Sequence, residues 1–126
     1  MGYTRYWERT EKEITFRFVN DVQNILDDCK ERGIIIKDGT GENAPVVNMD
    51  KIWINGNAAT GLDHETFIID NKSTGFNFCK TARKPYDYAV RKILKIAAEQ
   101  GFVKRVSSDG ANRKIISDDD YLAGKY

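Results

Sequence analysis

Histidine is almost absent from this chain: His64 is the only one in 126 residues. Chemistry that passes protons between two imidazoles, as in two-histidine phosphoesterases, is therefore excluded. Cysteine is nearly as scarce. Cys29 and Cys79 stand far apart, which makes no disulfide framework. Neither lies at metal-ligand spacing from His64, which argues against structural zinc. The two thiols read most simply as small buried apolar residues. No apolar run approaches the ~20 residues that span a bilayer. Residues 1–13 lack the apolar core of a signal peptide, and Tyr6 stands where a myristoylation signal needs Ser or Thr. The expected location is the cytoplasm. A charge excess is missing too. The formal net charge is +1, so general DNA binding is not expected. Any anion site must come from local clustering. No cofactor is indicated, although Asp63, Glu65 and Asp109 leave a magnesium site open, since hard cations need only scattered carboxylates.

What is present is ordinary globular material. The length suits one domain over residues 1–126, and 40% apolar with 31% charged residues is typical of a folded chain. Residues 2–7 are rich in strand formers. A helix follows, starting at Thr10 with Glu13 as a capping box or at Thr15, with Phe18, Val22, Ile25, Leu26 and Cys29 at helical spacing and Gly33 beyond its end. Strands are expected at residues 34–36, 51–55, 65–70 and 76–80, the last two joined as a hairpin through residues 71–75. Pro85 suits the first position of a second helix, with Tyr86, Ala89, Val90, Ile93, Ile96 and Ala97 as its buried stripe and Gly101 as its stop. A last strand spans residues 102–106. The acidic residues 117–120 are a candidate final helical turn. The expected class is α+β: one antiparallel layer of five to six strands with two helices on one face.

The charge that exists is concentrated in Phe76-Asn77-Phe78-Cys79-Lys80-Thr81-Ala82-Arg83-Lys84-Pro85-Tyr86-Asp87. Lys80, Arg83 and Lys84 crowd a helix start, where unpaired N–H groups and the dipole already favour an anion. The segment reads as a phosphate cradle. Arg83 would give bidentate contacts, Lys80 and Lys84 point charges, and Thr81 a hydroxyl donor. Tyr86 would stack on a base. The bland alternative is a solvated basic loop in which Asp87 caps the helix or pairs with a lysine. His64 is a candidate acid–base group or hydrogen-bonding contact, with Glu65 to orient it. It reads equally as a polar strand end. Asn55 opens a loop of small residues that either admits a ligand to the backbone or merely connects. Residues 38–41 lack the Gly-Lys-Ser/Thr ending of a phosphate-binding loop and read as a turn. Asp109, in a Ser-Ser-Asp-Gly turn, is placed to meet a ribose, though turn chemistry explains it as well. Tyr3, Tyr6 and Trp7 with Arg5 offer a stacking and cation–π surface. Alternation puts Tyr3, Arg5 and Trp7 on one face, so that face is buried only if Arg5 finds a partner.

Four segments carry a resemblance: residues 1–7 (Met1-Gly2-Tyr3-Thr4-Arg5-Tyr6-Trp7), His64-Glu65-Thr66-Phe67, the basic block from Phe78 to Asp87, and Arg105-Val106-Ser107-Ser108-Asp109-Gly110. They resemble a family of small proteins encoded mainly by bacteriophages and by bacterial genomes with phage-like content. Its members begin Gly-Tyr-Thr-His-Tyr-Trp. Arg5 stands where they carry histidine, so chemistry that needs that imidazole is not expected here. An arginine suits anion contact rather than proton transfer. The resemblance implies a phage origin and, by analogy with small phage proteins that counter host immunity, a counter-defence role.

The leading expectation is a non-enzymatic protein that sequesters a small phosphorylated, nucleotide-like ligand. Lys80, Thr81, Arg83 and Lys84 would hold phosphate; Tyr86, Trp7 or Tyr6 would stack on a base; His64, Asn55 and Asp109 would contact ribose or base edges; Arg5 would add a cation. One alternative is an inhibitor of a host defence protein, such as a CRISPR effector, acting through a surface patch. Another is a small nucleotide-cleaving or phosphoryl-transfer enzyme with His64 or Glu65 as acid–base group and Arg83 steadying developing charge. A homo-oligomer is one way for so small a protein to enclose its guest.

Overall fold

A computed structural model describes residues 3–109. In chain order its elements are β1 (Thr4–Arg9), α1 (Phe16–Glu31), β2 (Val46–Val47), β3 (Lys51–Ile54), a 3-10 turn (Ala58–Thr60), β4 (Phe67–Asp70), β5 (Gly75–Lys80), α2 (Asp87–Glu99) and β6 (Val103–Ser108). The class is α+β. The expected single layer is instead two antiparallel sheets of three strands, ordered β5-β1-β6 and β2-β3-β4. Among the described residues no helix is long and apolar enough to cross a membrane.

The division into two sheets comes from residues 71–75, which do not close a hairpin. β4 pairs with β3 and β5 pairs with β1, so the turn carries the chain from one sheet to the other. Asp70 shapes it. Its carboxylate accepts the amides of Lys72 and Ser73 at 3.0 and 2.6 Å. Burial pushes the Asp70 pKa up, and those amides outweigh it, holding the group below its usual value. From the other sheet, the buried Arg9 guanidinium donates to the Asp70 carbonyl and to the carbonyls of Thr10 and Phe102.

Alternation decides which faces close. On β3, Ile52 and Ile54 are buried; on β4, Phe67 and Ile69 are, as the period of two requires. Trp7 of β1 meets Phe67 of β4 at 5.2 Å between ring centroids, joining the sheets. Phe18, Val22, Leu26 and Cys29 of α1 and Ala89, Val90, Ile93, Leu94 and Ala97 of α2 enter the same cluster of buried residues. Thr15, not Thr10, caps α1, its hydroxyl accepting the Phe18 amide at 3.2 Å. Thr10 instead donates to Gly101 O.

Two further expectations need correction. Residues 34–36 form no strand: Ile34 packs into the core as irregular chain, and the nearby ladder contact among the described residues is the bridge between Lys37 and Asn55. Pro85 is not the first helical residue of α2. It precedes the cap residue Tyr86, inside a tight turn closed by bonds from Asp87 N to Lys84 O and Tyr88 N to Pro85 O. Residues 117–120 and Gly110 lie outside the described residues.

Candidate functional site

β5 delivers Lys80 and Thr81 to a turn with unusual backbone. Ala82 and Arg83 both have left-handed φ, 51° and 54°, and Lys84 N reaches back to Thr81 O at 3.0 Å. Two successive non-glycine residues in that region cost of order 1–3 kcal/mol each. The turn is held from both sides. Thr81 N and Ala82 N donate to Tyr3 O, Arg83 lies over the Tyr3 ring at 4.2 Å, and Lys84 Nζ donates to Gly61 O at 3.2 Å.

The helix start that this turn feeds is already filled. Asp87, the first residue of α2, is fully buried, with its carboxylate at the positive end of the helix dipole. Arg5 Nε and Nη2 donate to its two oxygens at 2.7 and 2.9 Å, and Thr81 Oγ1 donates to Oδ1 at 2.7 Å. Burial alone would lower the Arg5 pKa; the hydrogen bond and charge of Asp87 reverse the direction, so it rises. This bidentate pair is the partner that β1 required in order to bury Arg5 and Trp7 on one face. It also corrects the phosphate cradle. The helix terminus takes an internal carboxylate, Thr81 is buried with its hydroxyl committed to Asp87, and Arg5 is closed off from solvent.

Two of the three expected stacking residues, Tyr86 and Trp7, are corrected for the same reason; Tyr6 is half-buried. Tyr86 is fully buried, and its hydroxyl donates to Glu65 O at 2.6 Å; burial is the main cause of its raised pKa. Trp7 is buried in the core. Neither offers a ring face to a ligand. Asn55 is buried as well, its side-chain amide donating to Gly39 O and His64 O and accepting from Gly56 N and His64 N. Every usual bond of that amide is internal, so it organises loops rather than meeting a ribose. Asp109 is exposed at the end of β6, but its carboxylate receives Thr4 N at 3.0 Å and Tyr6 Oη at 2.9 Å, and the latter bond is the main cause of a raised Tyr6 pKa.

His64 is exposed, and its imidazole has no hydrogen-bond partner among the described residues. Glu65 Oε1 accepts from Lys80 N at 3.2 Å rather than orienting it. Base and orienting group are thus not assembled as a dyad. No group of three or more His, Cys, Asp or Glu side chains among the described residues is placed to hold a metal ion.

Sequence reasoning missed the outer face of the β5-β1-β6 sheet. Register puts Thr4, Tyr6 and Glu8 of β1 on one side with Lys80, Phe78 and Phe76 of β5 and with Ser107 and Lys104 of β6. Phe76 is 71% exposed and Phe78 48%. Their centroids lie 6.1 Å apart, and Tyr6 stacks against Phe76 at 6.3 Å. This row of rings ends at the exposed Lys80 and the basic turn. The signal was visible as Phe76 and Phe78 sharing a face; what was not visible is that the shared face is the solvent side. Three concavities of about 570–600 Å3 are lined by described residues elsewhere, and none of the three includes Lys80, Arg83 or Lys84. Comparison with known proteins returns no matching family model, no matching curated protein and no matching solved structure.

Proposed function

We propose that the protein is a non-enzymatic binder of a phosphorylated, nucleotide-like ligand, seated on the outer face of the β5-β1-β6 sheet rather than at the start of α2. The observation that carries this is the row of the half-buried Tyr6 with the exposed Phe76 and Phe78, running into Lys80. Exposed aromatic rings on a sheet stack on nucleobases, and each base–ring contact is worth about 1–3 kcal/mol. The exposed Lys80 supplies positive potential where a phosphate would lie. The phage resemblance supports a counter-defence setting, in which the protein would remove a signalling nucleotide by holding it.

Calorimetry against cyclic di- and trinucleotides, ADP-ribose forms and NAD tests this. Binding is expected for at least one member, with the ligand recovered intact by mass spectrometry after denaturation. The double change Phe76→Ala with Phe78→Ala should weaken it about tenfold or more, with the folded state checked by circular dichroism. Absence of heat from every member sinks the reading, and a cleaved ligand replaces it with an enzymatic one. The same exposed rings also favour a protein-contact reading, in which a host defence protein covers Phe76 and Phe78. A stoichiometric partner recovered by the wild type, lost with the ring variant and undisturbed by excess nucleotide would select it.

A further inference from the structure

Resting on that reading, we infer that the ligand this face fits best is a short single-stranded nucleic acid, laid across the sheet from Lys80 to a second cationic point at Lys104 and Arg105. That second point is built by a bulge. Between Tyr6 and Glu8 of β1 the register of β6 slips, so that Arg105 and Val106 stand against the single residue Trp7. Arg105 takes a left-handed φ of 52°. Consecutive residues on a regular strand face opposite sides. Here both neighbours reach the same carboxylate: Arg105 Nη1 bonds Glu8 Oε2, and Lys104 Nζ lies 3.7 Å from Glu8 Oε1. The bulge thus re-aims a side chain and gathers two exposed cations on the face that carries the rings.

The distance between the two cationic points selects the size of the ligand. Lys80 pairs with Thr4 and Lys104 with Glu8, four residues along β1 and on opposite flanking strands. At ~3.4 Å per residue this is about 14 Å along the strand direction alone. The phosphates of one mononucleotide or one pyrophosphate do not span that; a phosphodiester chain does. Between the points lie three rings on two adjacent strands, more than a single base covers. Charge is complementary to such a chain. Lys80, Lys104 and Arg105 are exposed, against the carboxylates of Glu8 and Asp109. Stacking needs open base faces, which a duplex does not present. The small net charge accords with a short local contact rather than with general coating of DNA.

Fluorescence anisotropy with labelled oligothymidylate and oligouridylate of one to twelve nucleotides, and a hairpin duplex as control, tests the inference. Affinity should rise about tenfold or more from the mononucleotide to a plateau at about four nucleotides, for one or both sugars, and the duplex should bind at least about tenfold more weakly. Phe76→Ala with Phe78→Ala should remove the length-dependent gain. Lys104→Ala with Arg105→Ala should shorten the plateau, since the far anchor is lost. Circular dichroism and thermal melting confirm that each variant is folded. If oligomers bind no tighter than the mononucleotide, this inference fails and the nucleotide reading stands. If neither binds, both fail. Length-dependent binding that survives the ring variant, or equal binding of duplex, overturns the assignment to this face.

Discussion

Arg5 and Asp87 form the contact on which the local structure most depends. Replacing one partner leaves the other charge buried and unpaired, which costs about 3–5 kcal/mol. Arg5→Ala should therefore lower the urea midpoint with little change in slope, and Asp87→Asn should do the same to a smaller degree, because it keeps a polar acceptor for Thr81 and Arg5. Arg5→His should make stability depend on pH near neutrality. A protonated imidazole beside Asp87 has a raised folded-state pKa. Its contribution is fully present below the unfolded value of about 6.5 and is lost as pH rises through the folded value. Urea midpoints at pH 5.5 and 8 check this. The wild type, whose guanidinium does not titrate there, should show no such step, and equal pH dependence in both proteins would contradict the pairing.

At the level of the elements, much was legible because it is periodic. The stripe of α1, the alternation of β3 and β4, and the shared face of Phe76 and Phe78 all follow from spacing alone. Partnership was not legible. Spacing places Phe67 and Ile69 on one side of β4, yet cannot say that β3 rather than β5 lies beside it. The basic turn shows the same limit: composition reveals three cations before a helix, while the carboxylate that answers their field is a helical residue six positions after Thr81, matched by an arginine 82 positions earlier in the chain. The loop after β3 supplies a test at this scale. A Cβ added at Gly56 would lie 2.0 Å from the Leu62 carbonyl oxygen. The closeness that suggested room for a ligand is already used by the chain itself. Gly56→Ala forces backbone apart and should destabilise by roughly 1–3 kcal/mol, read as a lower thermal midpoint. An unchanged midpoint would show that the loop opens easily.

At the scale of the whole molecule, three buried groups among the described residues set an alkaline limit. Cys29 and Cys79 are free and buried, and burial is the main cause that pushes each thiol up to about 12; Tyr86 moves in the same direction. Each group keeps its proton when folded and loses it sooner when unfolded. Stability is thus whole below the unfolded thiol value of about 8.5 and declines as pH rises toward 12, by up to about 1.4 kcal/mol per pH unit for each group. Denaturant titrations at pH 8, 9.5 and 11 should show accelerating loss. Native protein at pH 8 should react with iodoacetamide only as fast as it unfolds, and rapid labelling would mean that the thiols are reachable.

The placement of β1 has a last consequence, in time rather than in space. This strand leaves the ribosome before both of its neighbours, residues 75–80 and 103–108, and its arginine waits for Asp87. Until nearly the whole described chain has emerged, a segment bearing Tyr6 and Trp7 has nothing to pair with. Contacts this distant in sequence slow folding toward the millisecond-to-second range, and unpaired strands exposed meanwhile invite association. Synthesis of this protein should therefore lean on holding chaperones while β1 is unpaired, and the sheet should close in one late step as β6 arrives.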